Sequence, residues 1–349
     1  MQTKLGLKRQ VIDNSYNFPL CLAPMVGLTH VAMRVWLKEF LPEGLKTIWP
    51  TEMLNSRKIP HEVLGQTPET YKAVNDVDLV PQILGNEDDP IQKTVEKLCE
   101  WGVAGIDINM GCPVKKALRH NYGVALMGDS DYAKKVVEVT VKHSQVPVSV
   151  KLRAGHQNDK DYLINFMKGL EQAGASWLTL HPRVAEAKRR GKADWSQIRW
   201  VRDQLQIPVL GNGDIQSFED VLSMFEATNC DMVMAGRVLT AKPWIVSEFA
   251  AHLGFEVNQE LLPKSAEEQG ALLGKSLLRL LEIYKDYFDE NLGVRRFKFH
   301  IKNAHPWLSF GHQLFAITSK AKTYDELELG LRLFFEKPQP MQKYTELRY

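Results

Sequence analysis

The sequence predicts an α/β fold: a (β/α)8 barrel, or TIM barrel, followed by a smaller all-helical C-terminal domain. Three observations predict it. Short apolar runs alternate with amphipathic stretches up to about residue 250, and eight such units build this kind of barrel. Several runs end abruptly in polar residues, as barrel strands do where a site collects at their C-terminal ends. After Trp244 the alternation stops and helical periodicity alone continues.

The runs are Leu20–Ala23, Thr47–Trp49, Leu79–Leu84, Gly105–Ile108, Val146–Val150, Trp177–Leu180, Val209–Leu210 and Met232–Ala235. Runs this short and apolar read as strands buried on both faces. Between them, Ile91–Trp101 puts Ile91, Val95, Leu98 and Cys99 on one helix face. Tyr132–His143 is opened by the caps Asp129 and Ser130, and Tyr162–Ala173 and Phe218–Ala227 keep the same period. Later, Ala266–Tyr287 spaces Leu272, Leu273, Ser276, Leu277, Leu280 and Tyr284 helically. Val294–Asn303, Ser309–Thr318 and Asp325–Phe335 read as further helices, with a frayed tail from Lys337. The expected division is a barrel over 1–250 and a helical domain over 251–349. An open doubly wound sheet would need a G-x-G-x-x-G turn for a dinucleotide, and the chain has none.

A net charge of +2 on 349 residues gives no global basic field, so any nucleic-acid surface has to be local. The composition, 44% hydrophobic and 25% charged, suits a globular chain with a sizeable core. The four cysteines, Cys21, Cys99, Cys112 and Cys230, form no C-x-x-C pair, so neither a metal site nor a disulfide framework is expected. The first 17 residues lack the apolar core of a signal peptide, and no apolar run reaches membrane length. The expectation is a cytoplasmic monomer with no membrane contact.

The strand ends carry the chemistry. They read Ala23-Pro24-Met25, Glu52-Met53, Gln82, Asn109 with Cys112, Lys151 with Arg153, His181 with Arg183, Gly211-Asn212-Gly213-Asp214, and Gly236-Arg237. In Asn109-Met110-Gly111-Cys112-Pro113 a glycine turn and a proline present a thiol just past a strand. A lysine ending an apolar strand is costly to bury unless paired. Gln82, Asn109, Lys151 and His181 converging on one face imply a polar ligand with a planar, hydrogen-bonding head. The Gly211–Asp214 and Gly236-Arg237 turns offer backbone N–H groups and a guanidinium after strands seven and eight, where this barrel commonly binds phosphate.

These stretches resemble the tRNA-dihydrouridine synthase family. The resemblance runs through Ala23–Arg34 (APMVGLTHVAMR), Thr51–Met53, Gln82–Asn86 (QILGN), Asp107–Lys116 (DINMGCPVKK), Gly123–Met127, Val148–Arg153 (VSVKLR), Ala193–Trp195, Gly211–Ile215 (GNGDI) and Gly236–Trp244 (GRVLTAKPW), in the family's order. It implies FMN at the barrel mouth, NADPH as reductant, and a helical RNA-binding domain. In that reading Ala23, Pro24 and Met25 pack beside the flavin and Gln82 bonds its pyrimidine edge. Lys151 sits by the N1–C2=O locus, and His181 lies near the ring or the base. Asn212, Gly213, Asp214, Gly236 and Arg237 hold the ribityl chain and phosphate. Asn109 orients the uracil. Cys112 is the proton donor: hydride passes from flavin N5 to uracil C6, and the thiol protonates C5. Thiols titrate near ~8.5 in water, so one can serve as an acid at neutral pH. The chain departs from the family pattern at His181-Pro182-Arg183-Val184, at His30, and over Ala154–Asp161.

Basic groups are clustered. Gly293–Pro306 holds Arg295, Arg296, Lys298 and Lys302 with no acidic residue, and Phe297 and Phe299 interleave. Lys115, Lys116, Arg119 and His120 follow Cys112; Arg183 and the Lys188–Lys192 stretch follow strand six. Arg183 and these clusters, His120 apart, are the expected phosphate contacts to RNA, with tRNA the expected partner. The alternatives are a ribosomal RNA substrate, a small-molecule flavin barrel of the dihydroorotate dehydrogenase type, and an RNA-binding protein with a vestigial site. The basic helical segment speaks against the second, and the retained Cys112, Asn109 and Lys151 against the third.

Overall fold

The computed structural model describes residues 16–87, 89–187 and 190–346. Lys188 and Arg189 therefore lie outside the described residues, as does the side chain of Lys116. The eight expected strands form one sheet: β1 Leu20–Leu22, β2 Trp49–Asn55, β3 Leu79–Leu84, β4 Ile106–Met110, β5 Val148–Arg153, β6 Trp177–His181, β7 Val209–Asn212 and β8 Met232–Ala235. They pair in parallel in the order β1-β8-β7-β6-β5-β4-β3-β2. The seam between β1 and β2 is bridged by the Thr47 hydroxyl, which donates to the Leu20 carbonyl at 2.7 Å.

The helices are α1 Val31–Lys38, α2 Ile91–Glu100, α3 Lys115–Leu118, α4 Ser130–His143, α5 Lys160–Gln172, α6 Ser196–Arg202, α7 Phe218–Thr228, α8 Ile245–His252, α9 Ala266–Tyr287, α10 Glu290–Ala304, α11 Gly311–Lys320 and α12 Tyr324–Phe335. Side-chain caps start many of them. Asp129 accepts the Tyr132 N–H, Asp159 that of Tyr162, and Ser217 forms a capping box with Asp220. The boundary expected at 250/251 falls inside α8.

Two apolar layers follow from the period-two alternation of the strands. Outward residues such as Ile108, Val150 and Leu178 pack with the helices in the main core. Inward residues Cys21, Ile48, Val80, Trp177, Leu210 and Met232 fill the barrel together with Tyr16, whose ring meets Trp177 edge-on. Fully burying each large side chain contributes roughly 1.5–3 kcal/mol. The apolar plug leaves the upper, C-terminal end of the barrel to polar side chains.

Several expected boundaries shift. β2 begins at Trp49 and runs to Asn55, not over Thr47–Trp49. Its ladder with β3 slips between Pro50 and Met53, which accommodates the proline and the polar Thr51 and Glu52. β4 and β5 extend to Met110 and Arg153, so Asn109, Lys151 and Arg153 lie inside the ladder, because backbone pairing is indifferent to side-chain polarity. The helices α1, α3, α6 and α8 have no counterpart among the expected stretches. The segment after Lys337 is not frayed where described. Met341 is buried and bridges Leu308, its N–H donates to the Ala266 carbonyl at 3.0 Å, and the Gln342 N–H donates to the Trp307 carbonyl at 2.7 Å.

The helical segment α9–α12 packs against the barrel through polar as well as apolar contacts. His30 Nε2 meets the Tyr284 hydroxyl at 2.8 Å and His300 Nε2 donates to the Thr240 carbonyl at 2.9 Å, both buried. Burial holds the His300 imidazole down at about 4, so its ring is neutral at neutral pH and its Nε2 carries the donated proton.

Candidate active site

An open cavity of about 840 Å3, counting the free space at its mouth, sits at the C-terminal ends of β1 and β5–β8. Its lining includes Ala23, Pro24, Met25, Lys151, His181, Asn212, Gly213, Asp214, Gly236 and Arg237. All the expected cofactor residues except Gln82 are thus brought to one wall. Arg153, Arg183, Ile215 and Met234 join them. Lys151, Arg153, Arg183 and Arg237 face this space against one carboxylate, Asp214, so the lining is cationic.

Lys151 donates to Asn212 Oδ1 at 3.0 Å. Burial pulls its ammonium down to about 8; Asp107 opposes that fall and Arg153 adds to it. His181 is held well below the ordinary imidazole value by burial, with Lys151, Arg153, Arg183 and Arg237 adding to the effect. It is therefore neutral. Its Nε2 lies 3.0 Å from Arg183 Nη1, and a guanidinium can only donate, so Nε2 is the acceptor and Nδ1 carries the proton.

The Cys112 loop follows β4, the strand paired with β5. Asn109 Oδ1 accepts the N–H groups of Gly111 at 3.1 Å and Cys112 at 2.9 Å. Arg153 Nε donates to the Gly111 carbonyl at 2.9 Å, and the Val124 N–H donates to the Cys112 carbonyl at 3.2 Å. Gly123 makes the approach possible: it sits at φ +62°, and a Cβ there would lie 2.5 Å from the Cys112 oxygen. Cys112 is free and half-buried.

Four expectations need correction. Gln82 is fully buried, with Nε2 donating to Asp107 at 2.6 Å and Oε1 accepting from Asn109 at 2.7 Å, so it does not reach the cavity. The Asn109 amide is spent on Gln82 and the Cys112 loop instead of facing outward. Arg183 is no surface contact for RNA: it is 7% exposed and held by both Asp214 oxygens at 2.6 and 2.8 Å and by the Gly191 carbonyl. Arg296 is likewise buried, ion-paired with Glu52 and with Glu69, because it points from α10 into the barrel. By contrast Arg295 and Lys302 are exposed and Lys298 is half-exposed on α10, and Lys115 and Arg119 are exposed beside Cys112.

The sequence reading missed Asp107 and left Arg153 and Phe299 without a role. Asp107 is two residues before Asn109 and Arg153 two after Lys151, so strand alternation alone would have turned them to the same interior. Phe299, 40% exposed, lies against Gly27, where an added Cβ would meet its ring at 2.9 Å. It joins the basic face of α10 to the loop that carries Met25.

The model of the dihydrouridine synthase (Dus) family matches residues 21–328. The tRNA-dihydrouridine synthase B of Pasteurella multocida (strain Pm70) is 32% identical over 254 residues, 70% of each chain. The probable tRNA-dihydrouridine synthase of Rickettsia bellii (strain RML369-C) is 32% identical over 280 residues, 79% of this chain and 82% of the relative. Among solved structures, TcOYE with pHBA overlays with a TM-score of 0.49 at 11% identity, covering 74% of this chain and 96% of that one. No helix among the described residues is long and apolar enough to cross a membrane. Matched from β1 into α12, the chain belongs to the dihydrouridine synthase family.

Proposed function

We propose that this chain reduces uridine to 5,6-dihydrouridine in tRNA, with FMN as its cofactor and NADPH as reductant. One observation carries the reading: a cationic cavity and a clamped thiol loop share the same end of a barrel whose chain belongs to this family. The lining fits FMN. Four cations against one carboxylate suit a phosphate dianion and a ring that takes up negative charge on reduction. Asn212, Gly213, Gly236 and Arg237 would hold the phosphate and ribityl chain, with Ala23, Pro24 and Met25 against the ring. When bound, FMN supplies the hydride delivered to uracil C6, and NADPH restores it.

This chain's own residues do the rest. Cys112 gives its proton to C5 as charge builds there, and the backbone clamp of Asn109, Arg153 and Val124 fixes where that thiol stands. Lys151 offers a cation whose value near 8 leaves it charged at neutral pH. His181, neutral with its proton on Nδ1, has a donor to spare for a carbonyl. The RNA meets Lys115, Arg119 and the face of Arg295, Lys298 and Lys302. The target base leaves its stack at a cost of roughly a few kcal/mol. We read residues 1–250 and 251–349 as catalytic and RNA-binding parts of a cytoplasmic monomer.

The test incubates purified protein and NADPH with unmodified tRNA, with ribosomal RNA and with free uridine or orotate, and reads products by nucleoside mass spectrometry. Dihydrouridine in tRNA supports the reading. Product in ribosomal RNA alone shifts the substrate, turnover of the small molecules alone makes this a small-molecule barrel enzyme, and no product defeats it.

A further inference from the structure

Asp107, Gln82 and Asn109 form one hydrogen-bonded row across the upper barrel. Asp107 in β4 pairs in register with Ser149 in β5 and Gln82 in β3. Its Oδ1 accepts the Ser149 hydroxyl at 2.6 Å and its Oδ2 accepts Gln82 Nε2 at 2.6 Å. Gln82 Oε1 then accepts Asn109 Nδ2 at 2.7 Å, and Asn109 Oδ1 accepts the Gly111 and Cys112 N–H groups.

The two ends of a Gln or Asn amide are nearly alike in shape, so bonding decides which end faces which way. Burial pushes the Asp107 carboxyl up, while the Ser149 and Gln82 donors and the Lys151 charge favour its ionised form, in which it can only accept. Asp107 is therefore the link without a choice. It draws the Gln82 nitrogen toward itself, which turns the Gln82 oxygen to Asn109, which turns the Asn109 oxygen to the Cys112 loop. Reverse Asn109 and its NH2 faces the N–H groups of Gly111 and Cys112; reverse Gln82 and its oxygen faces Asp107 while its NH2 faces that of Asn109. We infer that Asp107 is a positioning residue: it acts through two amides to keep the Cys112 loop in place, without touching the thiol.

The inference rests on the proposed reaction only for its activity arm. The test moves the carboxylate one link along. Gln82→Glu sets two carboxylates against each other. Asp107→Asn must either offer an NH2 to the Gln82 NH2 or turn it on the Ser149 hydroxyl, which then has to accept instead of donate. In the double variant, the new amide at 107 keeps its oxygen toward Ser149 and gives its nitrogen to the new carboxylate at 82, which still accepts from Asn109. The direction of the row is restored. The readout that needs no activity is the rate of Cys112 alkylation by iodoacetamide in the FMN-loaded protein, followed by peptide mass spectrometry with Cys99 as internal control. Each single variant should change the Cys112 rate by about three- to tenfold, the worth of a hydrogen bond or so, and the double variant should return it close to wild type. kcat for dihydrouridine should follow the same order, with KM for RNA moving less. A double variant no better than the worse single, or singles that leave Cys112 unchanged, would overturn the inference. Alkylation that obeys this order in a protein that makes no dihydrouridine would sink the proposed reaction and leave the role of Asp107 standing.

Discussion

Arg296 reaches out of α10 to ion-pair with Glu52 at the end of the barrel, and the other oxygen of Glu52 accepts the Gly27 N–H at 2.7 Å. One carboxylate thus ties the helical segment to the loop that follows β1. Both side chains are nine-tenths buried or more. Removing one partner of such a pair strands the other charge, which costs on the order of 3–5 kcal/mol. Arg296→Met should therefore lower the denaturant midpoint at unchanged RNA salt dependence in whatever fraction remains folded. A midpoint equal to wild type would show the pair to be of no structural weight.

Arg295, Lys298 and Lys302 should behave in the opposite way. They lie on the outer side of α10, and among the described residues none of them is in an ion pair within 4.0 Å. Replacing all three with alanine should leave stability and FMN content near wild type. It should weaken RNA binding evenly across sequences and lower the salt slope by roughly one unit for each phosphate no longer neutralised. Affinity titrations at several salt concentrations check this, and an unchanged slope would make the face merely solvated.

Cys112→Ala should keep FMN and NADPH oxidation and lose dihydrouridine formation by on the order of 10²–10⁴-fold, the usual worth of a positioned acid. Stopped-flow flavin reduction and product assays read the two separately. Equal loss of both would mean the residue supports the cavity instead of donating a proton.

Lys151 carries a pH signature. Its value in the folded chain is lowered to about 8, while the unfolded chain keeps the ordinary lysine value of 10.5. Below pH 8 both states hold the proton and the fold bears the full cost of a buried cation. Between 8 and 10.5 the unfolded state binds more protons, so this group's contribution to stability rises with pH. Lys151→Met should therefore stabilise the cofactor-free chain most near pH 7, with an advantage that shrinks towards pH 10.5 in denaturation curves. In the FMN-loaded protein the same substitution should lower the flavin midpoint potential, since the cation favours the reduced ring. A potential unchanged or raised would contradict the role assigned to Lys151.

The barrel was legible because its signal is local. Each strand is a short apolar run and each cavity residue lies at or just past a run's end, so Lys151, His181, Asn212 and Gly236 could be placed one by one. What failed needed knowledge of direction or partners. Arg295 and Arg296 are neighbours in one basic run, yet helical geometry turns one to solvent and the other to Glu52, 244 residues away. Gln82 and Asn109 have side chains suited to a ligand, but Asp107 and the Cys112 loop consume them first. The tail after Lys337 has the polar composition of a frayed end. Met341 nonetheless finds a site beside Leu308 that only the packed helices create.

Base-resolution mapping of dihydrouridine in cells lacking this chain tests the central claim most directly, with the wild-type chain or the Cys112→Ala variant returned. The account predicts that specific tRNA positions lose dihydrouridine, that the wild type restores them, and that the variant does not. A map unchanged by loss of the chain, or restored in full by Cys112→Ala, would contradict it.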